Sequence, residues 1–529
     1  MKQALFCFLG AGLLLMTVLG CRRESDVLLA YDHNENLVFF GAESSFTEKF
    51  EIIWNGMNQY YALWDYEAEQ GIDWDAVYDT YYPKFQALDE RGADQGVTDE
   101  ELKALLDEFL NPLHDGHFYM KVKNHVTGNT VIVQPAAVRI AARQESQTVR
   151  STALHLGYYA NPANGEVETD DDGNPIVKLC DTRAISLITA KVATPGMGGQ
   201  WLVARIRELE ALPSLTEMQA YELEQMKQLV EGLKALAGKS VAEGLSFYND
   251  LQARYAYLGV PGLDYIDPAF NAVGLEIKSA LLKGNIAYLG FSSFCLGSYL
   301  NEADRGATFD MSNPLTQELV AQVGQVWQSW FDSIQTLHKA GSLGGVIIDL
   351  RGNGGGMMDD SQYAVGALVP GSDIHFGYQR FKRGSGRYDY STMMEARVNA
   401  MQQPHEEITD VPVVVLVNCM SVSMSETSAL CVRTLPRGTV IGKTSFGALC
   451  ALCENEFHSL NYAGYIGVED VTPVFGHVPS MASFTLDGEI IEAKGITPDI
   501  EVDFDAALFQ AGGRDTQLDR ALQFIRTGQ

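Results

Sequence analysis

The sequence predicts an α/β protein built on a largely parallel, helix-covered sheet, and three observations lead there. From about Gly284 onward, short apolar runs alternate with helical stretches, the pattern of strands buried on both faces. Two chemistry-bearing stretches, "RGNGGG" and "SVSMSE", closely follow such runs, and sites gather at the carboxyl ends of parallel strands. With 529 residues, 46% apolar and 20% charged, the chain has ordinary globular composition and core enough for two or three domains.

Taken in order, the N-terminal "MKQALFCFLGAGLLLMTVLGC" joins one early lysine to a run of 17 uncharged residues from Ala4 to Gly20. That run is short for a membrane span and suits a signal peptide over 1–20. Its ending, Val18-Leu19-Gly20-Cys21, resembles a bacterial lipobox. The resemblance implies a lipid on Cys21, a tether over 21–45, and anchoring to a membrane of the bacterial cell envelope, periplasmic or surface-exposed. The plainer reading is a cleaved secretory signal with an incidental cysteine. A formal charge of −30 argues against a nucleic-acid partner, because a phosphate backbone wants a basic face.

Residues 46–125 read as a helical, aromatic domain ending in a histidine motif. "FEIIWNGMNQYYALWDY" and "DWDAVYDTYYPKFQAL" repeat apolar residues at three and four, and Thr98-Asp-Glu-Glu101 is a capping box before "LKALLDEFL". After Asn111-Pro112 the stretch "LHDGHFYMKV" turns into a strand. Residues 126–280 form a mixed insert or lid, with a strand at "GNTVIVQ", an acidic, turn-rich "NPANGEVETDDDGNP" and a long helical stretch broken at Pro213. The α/β core spans 281–510, with strands at "NIAYLGFSSF", "GGVIIDL", "VPVVVLV" and "GTVIG" and helices at "LTQELVAQVGQVWQSWFDSIQTLHKA" and "TSALCVRTL". A C-terminal tail or helix, 511–529, closes the chain.

Four stretches bear chemistry. In "NCMSVSMSETSAL", Ser423-Met-Ser-Glu426 is itself a capping box, so Ser423 reads as an N-cap. A hydroxyl there also meets unsatisfied N–H groups and the positive end of the helix dipole, which favour an oxyanion. In "VIIDLRGNGGGMMDD", Gly352, Gly354, Gly355 and Gly356 let amides approach a ligand. A dinucleotide loop is excluded by Met357 at the sixth position, leaving a plain turn or an oxyanion-hole loop. In "LHDGHFYM", His114, Asp115 and His117 have no third metal ligand at helpful spacing, and His117 reads equally as a lone base or a surface histidine. In "IIEAKGITPDIEV", Glu492 is by itself an exposed acid before an edge strand.

Two further motifs weigh little. Cys450-Ala-Leu-Cys453 with His458 lacks the second pair of a zinc site, so two half-buried thiols or one local bridge is expected and no metal. Gly442-Lys443-Thr444 fails as a phosphate loop because Arg437 stands where a glycine is required.

Together these stretches resemble the C-terminal processing (tail-specific) serine peptidases and their relatives around the tricorn core protease. The pattern in chain order is L-x-D-G-H at Leu113–His117, D-x-R-x-N-x-G-G beginning at Asp349 and running through Gly355, and S-x-S-x-S-E at Ser421–Glu426. V-I-G-x-x-x-F-G at Val440–Gly447 and E-x-x-G-I-x-P-D at Glu492–Asp499 complete it, over roughly 46–123 and 284–503. The resemblance implies a crotonase-like catalytic core, Ser423 as nucleophile, and an oxyanion hole from the Met424 amide with Gly354 or Gly355. The processing-peptidase branch carries a lysine after the F-G pair, where this chain has Ala448. The tricorn-like branch uses the histidine of the first motif and the glutamate of the last, which map onto His117 and Glu492. Many members also carry a PDZ module, and 126–280 has no G-L-G-F-like loop, so a degenerate PDZ or a helical insert is expected there.

The expectation is a lipid-anchored envelope serine endopeptidase acting on protein or peptide substrates through an acyl-enzyme on Ser423, without metal or cofactor. Two alternatives stand beside it. One is a non-catalytic peptide- or lipophile-binding protein on the same fold; the other is a serine–lysine dyad using Lys443.

Overall fold

The structure, a computed structural model, describes residues 44–91, 96–136, 156–158, 177–179, 205–234 except 207, 254, and 275–529 except 276, 283, 303, 306–310, 312–313, 370, 372, 385, 451–463, 470 and 509–514. The signal and lipobox expectations at 1–20 and Cys21, most of the 126–280 insert, and Cys453 with His458 lie outside the described residues. In chain order the elements begin with α1 (Phe46–Tyr60), α2 (Trp64–Glu69), α3 (Trp74–Asp89), α4 (Asp99–Leu110), β1 (Tyr119–Lys123) and β2 (Thr130–Val133). Next come β3 (Leu156–Tyr158), β4 (Val177–Leu179), α5 (Glu217–Lys234), β5 (Ile277–Leu282), β6 (Ile286–Phe291), α6 (Gly297–Leu300) and α7 (Pro314–Lys339). Then follow β7 (Gly345–Asp349), β8 (Ile374–Phe381), β9 (Met394–Val398), β10 (Val413–Val417), α8 (Met424–Thr434) and β11 (Gly438–Gly442). The chain closes with β12 (Tyr465–Ile466), β13 (Val474–His477), β14 (Met481–Thr485), β15 (Ile500–Glu501) and α9 (Thr516–Thr527).

These elements fall into two compact units, each interrupted in sequence. The first draws on 1–139, 378–394 and 450–483. Its helices start where caps say they should: Ser45 Oγ accepts the Glu48 N–H at 3.1 Å while Glu48 returns a bond to the Ser45 N–H, and Thr98 Oγ1 accepts the Glu101 N–H at 3.2 Å. Their apolar faces meet in an aromatic core where Phe50 stacks on Phe85 and Trp64 lies against Trp74. An antiparallel sheet of order β12-β13-β1-β2 follows, with Tyr119 opposite His477 and Met120 opposite Val133. The contiguous 46–125 segment read from the sequence therefore needs 465–477 to complete its sheet. Pairing between strands some 350 residues apart leaves no local trace in sequence.

The second unit holds a six-stranded sheet of order β15-β11-β10-β7-β6-β5, parallel throughout except that β5 runs antiparallel to β6. Strands β6, β7 and β10 are buried along their full length, as continuous apolar runs in a covered parallel sheet should be. Alternate residues serve opposite faces. Val346, Ile348, Val413 and Val415 pack with Trp327, Trp330 and Ile334 of α7 and with α8. Ile347, Val414, Leu416 and Ile441 pack against Leu518, Ala521 and Leu522 of α9, so the C-terminal segment forms the second cover of the sheet. Leu416 of β10 sits in register with Asp349 of β7, which brings the carboxyl ends of these two strands side by side. The glycine loop leaves one and the serine turn leaves the other.

Candidate active site

Three serines lie two apart after β10, and their surroundings separate them. Ser421 is buried, its Oγ donating to the Leu350 carbonyl at 2.7 Å and accepting the Asn418 N–H at 3.0 Å. Ser425 is also buried and donates to the Asn353 carbonyl at 2.9 Å. Both hydroxyls are spent on fastening the turn to the glycine loop. Ser423 is partly exposed and is the N-cap of α8, closed with Glu426 in a capping box, and among the described residues its Oγ donates no hydrogen bond. The Glu426 N–H goes to the Ser423 carbonyl at 2.8 Å, and Glu426 Oε2 accepts the Ser423 N–H at 3.1 Å. Ser423 also has φ 55 and ψ −112, a conformation L-residues rarely adopt. A strained backbone that presents a hydroxyl with an uncommitted proton at a helix N-terminus is compatible with a nucleophile as well as with a cap.

The glycine loop packs directly on this turn. The Asn353 carbonyl accepts the Val422 N–H at 3.0 Å as well as the Ser425 hydroxyl, so it grips the chain on both sides of Ser423. Gly355 has φ +87, and a Cβ there would fall 2.7 Å from Ser423 Cβ and 2.8 Å from the Val422 carbonyl oxygen. Only glycine allows that approach. The Gly355 N–H donates to Asn353 Oδ1 at 2.8 Å, which commits the amide the sequence had offered as an oxyanion donor. The reason is local: Asn353 folds back over its own loop while its Nδ2 donates to the Phe291 carbonyl at 2.8 Å. Gly354 faces open space, and among the described residues no hydrogen bond engages its N–H or that of Met424.

Glu492, expected by itself to be an exposed acid, is fully buried. Its Oε1 accepts the Leu449 N–H at 2.6 Å, and the turn behind it is held by Ala493 at φ 56 donating to the Gly447 carbonyl at 2.9 Å. Both residues belong to the second unit, as do Ser423 and the glycine loop.

His117 belongs to the first unit. It follows a tight turn in which Asp115 Oδ1 accepts the His117 and Phe118 N–H groups at 2.6 and 2.7 Å. Its Nδ1 is shut from solvent and, among the described residues, has no hydrogen-bond partner. Burial first, then the neighbouring His477, lowers its pKa to about 4, against an opposing bond to the Cys450 backbone. The imidazole is therefore neutral at pH 7, the form that can accept a proton. Leu449, which holds Glu492, and Cys450, which bonds His117, are consecutive in the chain. His114, the other histidine of the motif, is occupied: its Nδ1 and N–H both bond the buried Glu67 carboxylate, which also accepts Tyr61 OH.

Lys443 is poorly suited to the dyad alternative. Its ammonium bonds Asp503 and Glu501 at 2.8 and 2.6 Å on the surface, and these carboxylates raise its pKa. A lysine base needs the opposite shift. Cys450 is buried, with its Sγ accepting the Ser483 N–H at 3.4 Å.

The sequence reading passed over Glu426 except as a capping residue. It is fully buried and accepts four bonds: Ser445 Oγ at 2.6 Å, the Gly447 and Ala448 N–H groups at 2.7 and 2.8 Å, and the Ser423 N–H. Burial raises its pKa against these donors. One of these donors is the amide of Ala448, the sequence position at which the processing-peptidase pattern has a lysine. The only signal in sequence was a glutamate three residues after Ser423.

Residues 285–502 match the model of Peptidase family S41. Curated relatives include a carboxy-terminal-processing protease of Bartonella bacilliformis (strain ATCC 35685 / KC583 / Herrer 020/F12,63), 28% identical over 177 residues, which are 33% of this chain and 35% of that protein. A CtpA-like serine protease of Staphylococcus aureus (strain bovine RF122 / ET3-1) is 25% identical over 172 residues, 32% of this chain and 30% of its own length. The chain thus spans about a third of the length of the curated relatives it matches. Among solved structures, mature CPAF complexed with lactacystin is similar at 12% identity and a TM-score of 0.43, covering 92% of this chain and 99% of that one.

Proposed function

We propose, from a segment that matches Peptidase family S41, that this protein is a serine-type peptidase in which Ser423 attacks the scissile carbonyl of a protein or peptide substrate. The observation that carries the reading is the contrast among the serines: Ser421 and Ser425 donate their hydroxyl protons to the Leu350 and Asn353 carbonyls, while Ser423, on a strained turn, donates its own to no described residue. His117, neutral at pH 7, is assigned the base that takes the Ser423 proton and returns it to the leaving amine. Glu492 is assigned the acid that steadies the imidazolium, as in the tricorn-like branch that the motifs resemble. The amides of Met424 and Gly354 receive the oxyanion, each such donor being worth about 3–4 kcal/mol to the transition state. The core is read as crotonase-like.

Acylation transfers the substrate acyl group to Ser423 Oγ with release of the amine, and a water molecule then hydrolyses the ester with His117 acting again as base. A fluorophosphonate probe tests the assignment. Wild type is expected to be labelled, Ser423→Ala unlabelled, His117→Ala inactive and Lys443→Ala active. Labelling that survives Ser423→Ala removes the nucleophile, and activity lost in Lys443→Ala but retained in His117→Ala restores the lysine dyad. A wild type that neither labels nor cleaves peptides points to a binding protein.

A further inference from the structure

We infer that Asp515, at the start of the C-terminal helix, is a positioning residue for the oxyanion loop, acting through Arg351. It lies beyond the segment that matches the peptidase family. The inference rests on the peptidase reading above for its kinetic consequence and on geometry alone for the contact.

Arg351 is the last residue before the glycine loop and is almost wholly buried. Its guanidinium is gripped from two sides. Nε and Nη2 donate to Asp349 at 2.9 and 2.6 Å, and Nη1 and Nη2 donate to Asp515 at 2.9 and 2.7 Å. Gln517 Oε1 adds a bond to Nη1 at 3.0 Å, and Tyr288 OH donates to Asp349 Oδ2 at 2.8 Å. Both carboxylates are as buried as the arginine, so the pairing operates out of water, where a fork-to-fork geometry fixes orientation as well as charge.

Asp515 does two things at once. Its Oδ1 caps α9 by accepting the Gln517 and Leu518 N–H groups at 3.1 and 3.0 Å, and both its oxygens hold Arg351. A helix cap needs only one oxygen, and asparagine caps as well as aspartate. The second oxygen and the charge serve Arg351. From there the constraint passes along the loop. The Gly352 N–H donates to Asn418 Oδ1 at 3.0 Å, and the Asn353 carbonyl holds Val422 and Ser425 on either side of Ser423. A helix whose apolar face covers the sheet thereby also sets where the loop amides stand relative to the nucleophile.

Asp515→Asn separates the two roles, keeping the cap but placing an amide NH2 or a single oxygen against the guanidinium. The expected result is a fall in kcat of at least tenfold with KM changed less than twofold, a parallel fall in the rate of fluorophosphonate labelling, and faster amide hydrogen exchange confined to peptides covering 350–358. Asp515→Glu, which keeps the charge, is expected to recover part of kcat. Unchanged exchange in 350–358, or a lowered unfolding midpoint with kcat within twofold of wild type, overturns the inference and leaves Asp515 a cap alone. Should Asp515→Asn not accumulate as folded protein, Gln517→Met decides: a fall in kcat of twofold or more at constant KM supports the clamp, and unchanged kcat overturns it. If wild type neither cleaves nor labels, the peptidase reading fails by itself, and the exchange measurement still reports on the clamp.

Discussion

Replacing Ser423 with glycine should stabilise the protein while abolishing its chemistry. The residue stands at φ 55 and ψ −112, away from the left-handed helical well where L-residues find their minor minimum. Holding a non-glycine residue in such a region costs on the order of 1–3 kcal/mol. Glycine escapes that strain but loses more freedom on folding, a penalty of roughly 0.5–1 kcal/mol relative to alanine. Loss of the Cβ also forfeits its close packing against the Gly355 loop, which trims the gain. The difference should favour Ser423→Gly over Ser423→Ala by about 1 kcal/mol, the reverse of the order within a helix. In urea melts followed by tryptophan fluorescence, a slope of about 2–3 kcal/mol/M turns this into a midpoint roughly 0.3–0.5 M higher for glycine. Neither variant should react with fluorophosphonate. A glycine variant that melts at or below the alanine variant would refute the claim that the backbone at Ser423 is held under strain.

Two other outcomes follow from the same geometry. Glu426→Gln turns one oxygen, which now accepts two donors, into an NH2 group facing them; at about 1.5–3 kcal/mol per bond to a charged acceptor, offset by relief of a buried charge, it should destabilise by roughly 2–4 kcal/mol. An unfolding free energy within about 0.5 kcal/mol of wild type, the range of an ordinary surface substitution, would show that the carboxylate does not hold the 445–448 loop. With His117 as the proposed base, the acid limb of kcat/KM should lie below the ordinary histidine value of 6.5, because its folded pKa is lowered to about 4 and a base must be neutral to accept a proton. Activity is then present above that value and lost as pH falls through it; over the same window, from 6.5 down to about 4, the unfolded state gains protons that the native histidine refuses, so stability also declines. A midpoint at or above 6.5 contradicts the burial of the base.

Much of the architecture was legible because it is written in local patterns. Strands such as "VPVVVLV" carry continuous apolar runs, and the segments 46–60, 99–110 and 314–339 carry helical spacing, so their element types follow from period alone. The serine turn was legible only as an ambiguity: spacing could not tell the three hydroxyls apart, whereas the fold commits those of Ser421 and Ser425 to backbone carbonyls. Glu492 read as exposed because turn residues surround it, whereas the backbone of the 447–449 loop folds over it. Gly355 read as a donor because a glycine-rich loop advertises free amides, and Asn353 claims that one.

By itself the sequence determined the element types, the alternation that makes a parallel sheet, and the candidate residues at strand ends. These depend on side-chain period and on neighbours within a few positions. The tertiary structure alone decided which serine hydroxyls donate to backbone carbonyls, that Glu426 collects four donors, that strands near 120 and 475 pair, and that Asp515 reaches Arg351. Those facts join residues dozens to hundreds of positions apart, and only the folded chain, by burying polar groups that must then find partners, selects among the pairings the sequence allows.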